Sequence, residues 1–73
     1  MTDYPFRYDA DENIVVVSFY IEAADESLSG THGADVIEPG EMYYTLSFED
    51  LKMAGQGILR VDKKARKALI TKY

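Results

Sequence analysis

The sequence predicts a mainly β fold, a small α+β domain built on an antiparallel sheet or partly open barrel of about five strands with one short helix. Three observations carry that expectation. Ile14 to Ala23 is the longest apolar run and is rich in β-branched and aromatic residues. Polar clusters at Asp9–Asn13 and Lys63–Arg66 each stand between two strand-like runs, as hairpin turns do. Ser47-Phe48-Glu49-Asp50 opens a helix that glycines close shortly afterwards. The order that follows is β-hairpin, long loop, strand, helix, β-hairpin.

Phe6-Arg7-Tyr8 forms the first short run, with Pro5 at its start, where a missing N–H does least damage. Asp9 to Asn13 then turns the chain, because Asp and Asn hydrogen-bond their own backbone and tolerate positive φ. The run from Ile14 reads as the central strand. At period two, Val15, Val17, Phe19, Ile21 and Ala23 share an uninterrupted apolar face, the core side. Ile14, Val16, Ser18, Tyr20 and Glu22 share the other, a mixed face that meets a thin second layer or another chain.

Ala24 to Gly40 is expected as a long loop, polar and glycine-containing, with Leu28, Val36 and Ile37 as its apolar anchors. Glu41 to Ser47 resumes as a strand with Met42, Tyr44 and Leu46 on one face and Tyr43 and Thr45 on the other. Ser47 and Asp50 have capping-box spacing, Phe48, Leu51 and Ala54 share a helical face, and Gly55 and Gly57 end the helix. Ile58–Asp62 and Lys67–Tyr73 form the closing hairpin. A helix over Asp62–Leu69 is the alternative, because Lys, Ala and Arg favour it. The two hairpins echo one another: Arg7-Tyr8-Asp9, four residues and Ile14 match Arg60-Val61-Asp62, four residues and Lys67. Recurrent turn chemistry explains the echo better than duplication.

Seventy-three residues are expected to form a single domain, 1–73, with a small core. The chain has no cysteine, so disulfides and thiolate metal sites are excluded as staples. The amino terminus has neither a basic n-region nor an apolar h-region, and the longest apolar run is too short for a bilayer. The reading is a soluble protein without a signal peptide, cytoplasmic or incorporated in a particle, with no membrane partner. Net charge is −5, but its layout is more telling: residues 1–51 carry −11 and residues 52–73 carry +6. That sum disfavours nucleic acid as a partner, since phosphate binding needs clustered bases.

Chemical signatures are weak. Asp9-x-Asp11-x-Asn13 opens like a calcium loop, yet Ile14 and Tyr20 stand where such a loop needs Gly and Glu. His32 lies among Ser27, Ser29, Thr31 and Asp35, neighbours that a flexible loop does not organise into a triad. No phosphate loop, nucleophile elbow or metal-spaced cluster occurs in the sequence. No cofactor, metal or small-molecule substrate is therefore expected, and no enzymatic activity. The expected function is a non-enzymatic structural or adaptor module acting through a protein partner or self-association. Its contacts would come from Ile14, Val16, Tyr20 and Tyr43 and from the bases Lys63, Lys64, Arg66 and Lys67. The alternative is an acidic inhibitor that mimics DNA, with Asp9, Asp11, Glu12, Asp25 and Glu26 imitating phosphates. In architecture, the strand, capped helix and closing hairpin resemble small β modules of phage and prophage structural proteins. That resemblance implies a subunit of a larger assembly.

Overall fold

Two aspartates set the outer frame by making the same turn twice. The computed structural model describes residues 2–21 and 31–71. Its elements are β1 (Thr2–Asp9), β2 (Ile14–Ile21), β3 (Thr31–Ile37), β4 (Met42–Tyr43), β5 (Leu46–Ser47), α1 (Phe48–Ala54), β6 (Gln56–Asp62) and β7 (Lys67–Thr71). Between β1 and β2, Asp9 Oδ1 accepts from the N–H groups of Asp11 and Glu12 at 3.0 and 3.3 Å. Between β6 and β7, Asp62 Oδ1 accepts from those of Lys64 and Ala65 at 3.1 and 3.2 Å. Each loop ends in a left-handed residue, Asn13 at φ 54° and Arg66 at φ 56°. The sequence echo is therefore one turn chemistry used twice, and the hairpin, not the helix over Asp62–Leu69, is what forms.

The large sheet is antiparallel, ordered β3-β2-β1-β6-β7, and stays open with two edges; β4 and β5 make a separate two-stranded hairpin. β1, not β2, is the middle strand. The apolar run nonetheless supplies core, because Val15 and Val17 are fully buried on the face shared with Tyr4, Phe6, Leu59 and Val61. Phe19 faces the same way, partly buried, its ring 5.9 Å from that of Tyr4.

The loop expected over Ala24–Gly40 is corrected. Thr31–Ile37 is a seven-residue strand paired with β2 from Ile21–Thr31 through to Val15–Ile37. Polar and small residues concealed it: Val36 and Ile37 are its only large apolar residues, so propensity was overridden by a partner strand. Ala24 to Gly30 lies outside the described residues, as do Glu22 and Ala23 of the expected strand.

The single strand expected over Glu41–Ser47 is corrected too. Tyr44 takes φ 55° and folds the segment into a tight hairpin, with Met42 opposite Ser47 and Tyr43 opposite Leu46. The faces change with it. Tyr43 is buried while Met42 is 58% exposed. Thr45, at the tip, donates its hydroxyl to the Ala68 carbonyl at 3.0 Å and accepts from the Ala68 N–H at 3.1 Å.

α1 covers one face of the sheet with Phe48 and Leu51. Its start is the expected capping box: the Asp50 N–H donates to Ser47 Oγ at 3.2 Å and the Ser47 N–H to Asp50 Oδ2 at 3.0 Å. Gly55, at φ 80°, ends it. Gly57 does not. It belongs to β6, opposite Phe6, and a Cβ there would sit 3.2 Å from the Phe6 ring and 3.1 Å from the Thr71 carbonyl oxygen. Glycine leaves the space that the Cε1–Cζ edge of the Phe6 ring takes beside β6.

Leu59→Ala, at a fully buried position, should cost about 3 kcal/mol in chemical denaturation, and Thr45→Val about 1 kcal/mol, with faster hydrogen exchange at Ala68 as the readout. The Asp50 carboxylate is held below the usual aspartate value by the Ser47 N–H, then by the Ser47 hydroxyl. Its stabilising contribution is thus complete above the ordinary aspartate pKa and is lost as pH falls through the lowered one. Asp50→Asn should flatten that part of the acid unfolding profile, and an unchanged profile would refute the cap's role.

Candidate interaction face

Strand parity decides which residues face α1 and which face away. The register aligns Val36, Val16, Arg7 and Gln56 in one row across the sheet. A second row joins Pro5, Ile58 and Thr71, with Ala34 and Ser18 paired at its other end. A third joins Asp3, Arg60 and Leu69. All of these point away from the helix, and no described residue packs over them. Val36 is 52% and Leu69 63% exposed, while Ile14, Val16 and Ile58 are half-buried by their neighbours within the layer. The result is an apolar strip from Val36 to Ile58 edged by charge.

Pro5 shapes the middle of this face. The Tyr8 N–H donates towards β6, to the Gly55 carbonyl at 2.6 Å, so the odd-numbered backbone groups of β1 point at β2. Pro5 is odd and has no N–H. The β1–β2 ladder accordingly stops at Phe6–Val17, one step before Pro5 meets Ser18. A shallow open depression of about 200 Å³ lies there, lined by Pro5, Phe6, Arg7, Val16, Ser18 and Gln56.

Charge surrounds the strip in opposed pairs. Arg60 Nε donates to Asp3 Oδ1 across β6 and β1 at 3.2 Å, and Arg7 lies 3.7 Å from Asp9. Both pairs are solvated and contribute at most about 1 kcal/mol. They fix side-chain positions more than they stabilise. Beyond them, at the β6–β7 corner, Lys63, Lys64, Arg66 and Lys67 are all exposed. Lys67 stands opposite Asp62 on the uncovered side. Lys63 turns to the other side, its Nζ 5.7 Å from the Tyr4 ring centroid, and the Tyr4 phenol holds its ammonium above the usual lysine value.

Of the residues expected to make contacts, Ile14, Val16 and Lys67 therefore share the uncovered face, and Lys64 and Arg66 sit at its corner. Tyr20 pairs with His32 through its backbone, and its side chain lies outside the described residues. Tyr43 is corrected: it is 8% exposed and belongs to the core. The sequence reading missed Pro5, Val36, Ile58 and Leu69 as members of the face. The alternation Ile58-Arg60-Asp62 and Lys67-Leu69-Thr71 was the available signal, but it could not say which alternate set faced α1.

The acidic residues divide differently. Asp11 and Glu12 are exposed at the β1–β2 turn, whereas Asp9 is engaged in that turn and Asp25 and Glu26 lie outside the described residues. Asn13 Oδ1, one oxygen of the calcium-like spacing, accepts the Tyr8 hydroxyl at 2.7 Å. Among the described residues no group of His, Asp and Glu is placed to hold a metal ion, and no helix is long and apolar enough to cross a membrane. No protein-family model, curated protein or solved structure matches the chain.

The burial of Tyr43 has a measurable consequence. Burial first, and the Asp35 carboxylate second, push its phenol above the usual tyrosine value. The unfolded chain then loses that proton before the folded one does, so stability is complete below about pH 10 and declines above it. In alkaline denaturation Tyr43→Phe should lose less stability than wild type over the same range. Equal losses would place Tyr43 at the surface.

Proposed function

We propose that this chain is a non-enzymatic structural or adaptor module that binds another protein through the uncovered face of its sheet, as a subunit of a larger assembly of the phage type. The observation that carries the reading is the apolar strip Val36–Val16–Ile58 with Leu69 beside it, half the area of Val36 and more of Leu69 being open to solvent. A two-layer domain that exposes one sheet face normally makes it polar, and apolar surface gathered on one face marks a binding surface. The partner that fits presents a flat apolar patch bordered by carboxylates, the patch covering the strip and the carboxylates meeting Lys64, Arg66 and Lys67. Supporting a non-enzymatic role, every described ionisable side chain except Tyr4 and Tyr43 is at least partly solvated, and burial moves the Tyr43 phenol away from neutrality and not towards it.

The second reading, an acidic mimic of DNA, draws support from the exposed Asp11 and Glu12 and from the net charge of −5. Asp9 weakens it, since that carboxylate serves its own turn.

The experiment compares wild type, Val16→Asp with Leu69→Lys, and a variant with Lys63, Lys64, Arg66 and Lys67 changed to Ser. Each is used as bait in extract from the cells that make it, with quantitation of the captured proteins at low and high salt. The face variant should lose the captured partner while retaining the wild-type unfolding curve, and the Ser variant should lose the salt dependence of capture. Identical capture by wild type and face variant would overturn the reading. Release of the partner by added duplex DNA would favour the mimic.

A further inference from the structure

The two edges of the sheet are finished differently. In an antiparallel ladder each residue directs both its N–H and its C=O to the same neighbour, and successive residues alternate. The Tyr8–Gly55 bond sets the phase, and the continuous register carries it outward. On β7 the even residues face outward, and Ala68 has both groups taken by Thr45 Oγ1. That edge also begins with Lys67 and follows the basic turn, two devices that deter strand addition. On β3 the even residues again face outward. The Glu38 N–H just beyond the strand is capped by Glu41 Oε1 at 2.7 Å. Before it, Ala34 and Val36 present their N–H and C=O groups outward with no partner among the described residues. Thr31–Ile37 contains no Lys, no Pro and no break in its pairing with β2.

We infer that the outer edge of β3 accepts an extended basic segment of another protein as a sixth strand, with Ala34 and Val36 exchanging main-chain hydrogen bonds with it. Charge selects the occupant. From Thr31 to Tyr44 the chain carries Asp35, Glu38 and Glu41 and no Lys or Arg. A second copy offering the same edge would bring like charges together, and one offering its basic edge would have only Ile70 to offer, since Ala68 is already bonded to Thr45. Parity then sets the pattern of the incoming strand. Residues on the α1 side run beside Asp35, which is exposed, and are basic; residues on the other side extend the strip at Ala34 and Val36 and are apolar. This goes beyond the sheet-face reading, since it uses the outward main chain of β3 and not the side chains of the face; Val36 alone belongs to both, by its side chain there and by its N–H and C=O here.

The test uses a capped heptapeptide of alternating lysine and valine, and its glutamate–valine counterpart, with full-length wild type, Ala34→Pro, Ala34→Val and Leu69→Lys. Proline at position 34 removes only an outward N–H and is tolerated at an edge; valine controls for the change in side chain. Fluorescence anisotropy should show the lysine peptide binding wild type, Ala34→Val and Leu69→Lys alike and Ala34→Pro at least tenfold more weakly, with no binding of the glutamate peptide. Peptide should also slow hydrogen exchange at Ala34 and Val36. Equal binding to Ala34→Pro overturns the proposal, as does no binding to wild type. Slow exchange at both amides in the free monomer would mean that the chain already covers this edge, and a wild-type dimer that Ala34→Pro dissociates would make the occupant a second copy; either result overturns it. Leu69→Lys separates the two surfaces, since it should abolish partner capture by the sheet face without touching peptide affinity.

Discussion

Phe48 and Leu51 of α1 meeting Phe6, Val15, Val17 and Leu59 of the sheet is the contact on which the rest of the molecule depends. A five-stranded sheet has two faces to cover, and the described residues supply one seven-residue helix and one tight hairpin to do it. Those two elements suffice for one side. The layer they close includes fully buried residues from β1's two neighbours, Val15 and Val17 on β2 and Leu59 and Val61 on β6. Nothing described remains for the opposite side, and the sequence compensates only in part by placing Arg7, Arg60, Asp3 and Asp9 there among the apolar residues.

The same shortage explains where side chains are used to finish backbone. Tyr44 holds a left-handed φ that costs a non-glycine residue about 1 kcal/mol. The turn it permits delivers Thr45 to the outward groups of Ala68, so a local strain is spent on closing an edge. Glu41 caps Glu38, Ser47 and Asp50 cap α1, and Asp9 and Asp62 cap their turns. In each case a polar side chain within a few residues accepts from a backbone N–H that the ladder or helix leaves without a partner. A small domain has few distant groups to call upon, and local caps are the economical substitute.

Charge follows the sheet's order rather than the chain's. The acidic first part supplies β3 with Asp35, Glu38 and Glu41, and the basic last part supplies β7 and its turn. Because β3 and β7 are the two outermost strands, the imbalance along the sequence becomes an imbalance from one edge to the other. Among the described residues, the one ion pair between the acidic first part and the basic last part is Arg60–Asp3.

Local chemistry was legible without a structure. The two hairpin turns, the capping box of Ser47 and Asp50, the glycine stop at Gly55 and the apolar face of Val15 and Val17 all depend on contacts within a few residues, which the order of amino acids states directly. What tertiary pairing decided was invisible for the same reason in reverse. Thr31–Ile37 is a strand because β2 lies beside it, not because its residues prefer one. Tyr43 is buried and Met42 exposed because Tyr44 reverses the chain between them and Ser47. Gly57 serves Phe6, a neighbour roughly fifty residues away in sequence. Which face of the sheet stays uncovered depends on where α1 docks, and alternation along a strand specifies two faces without saying which of them will find a partner.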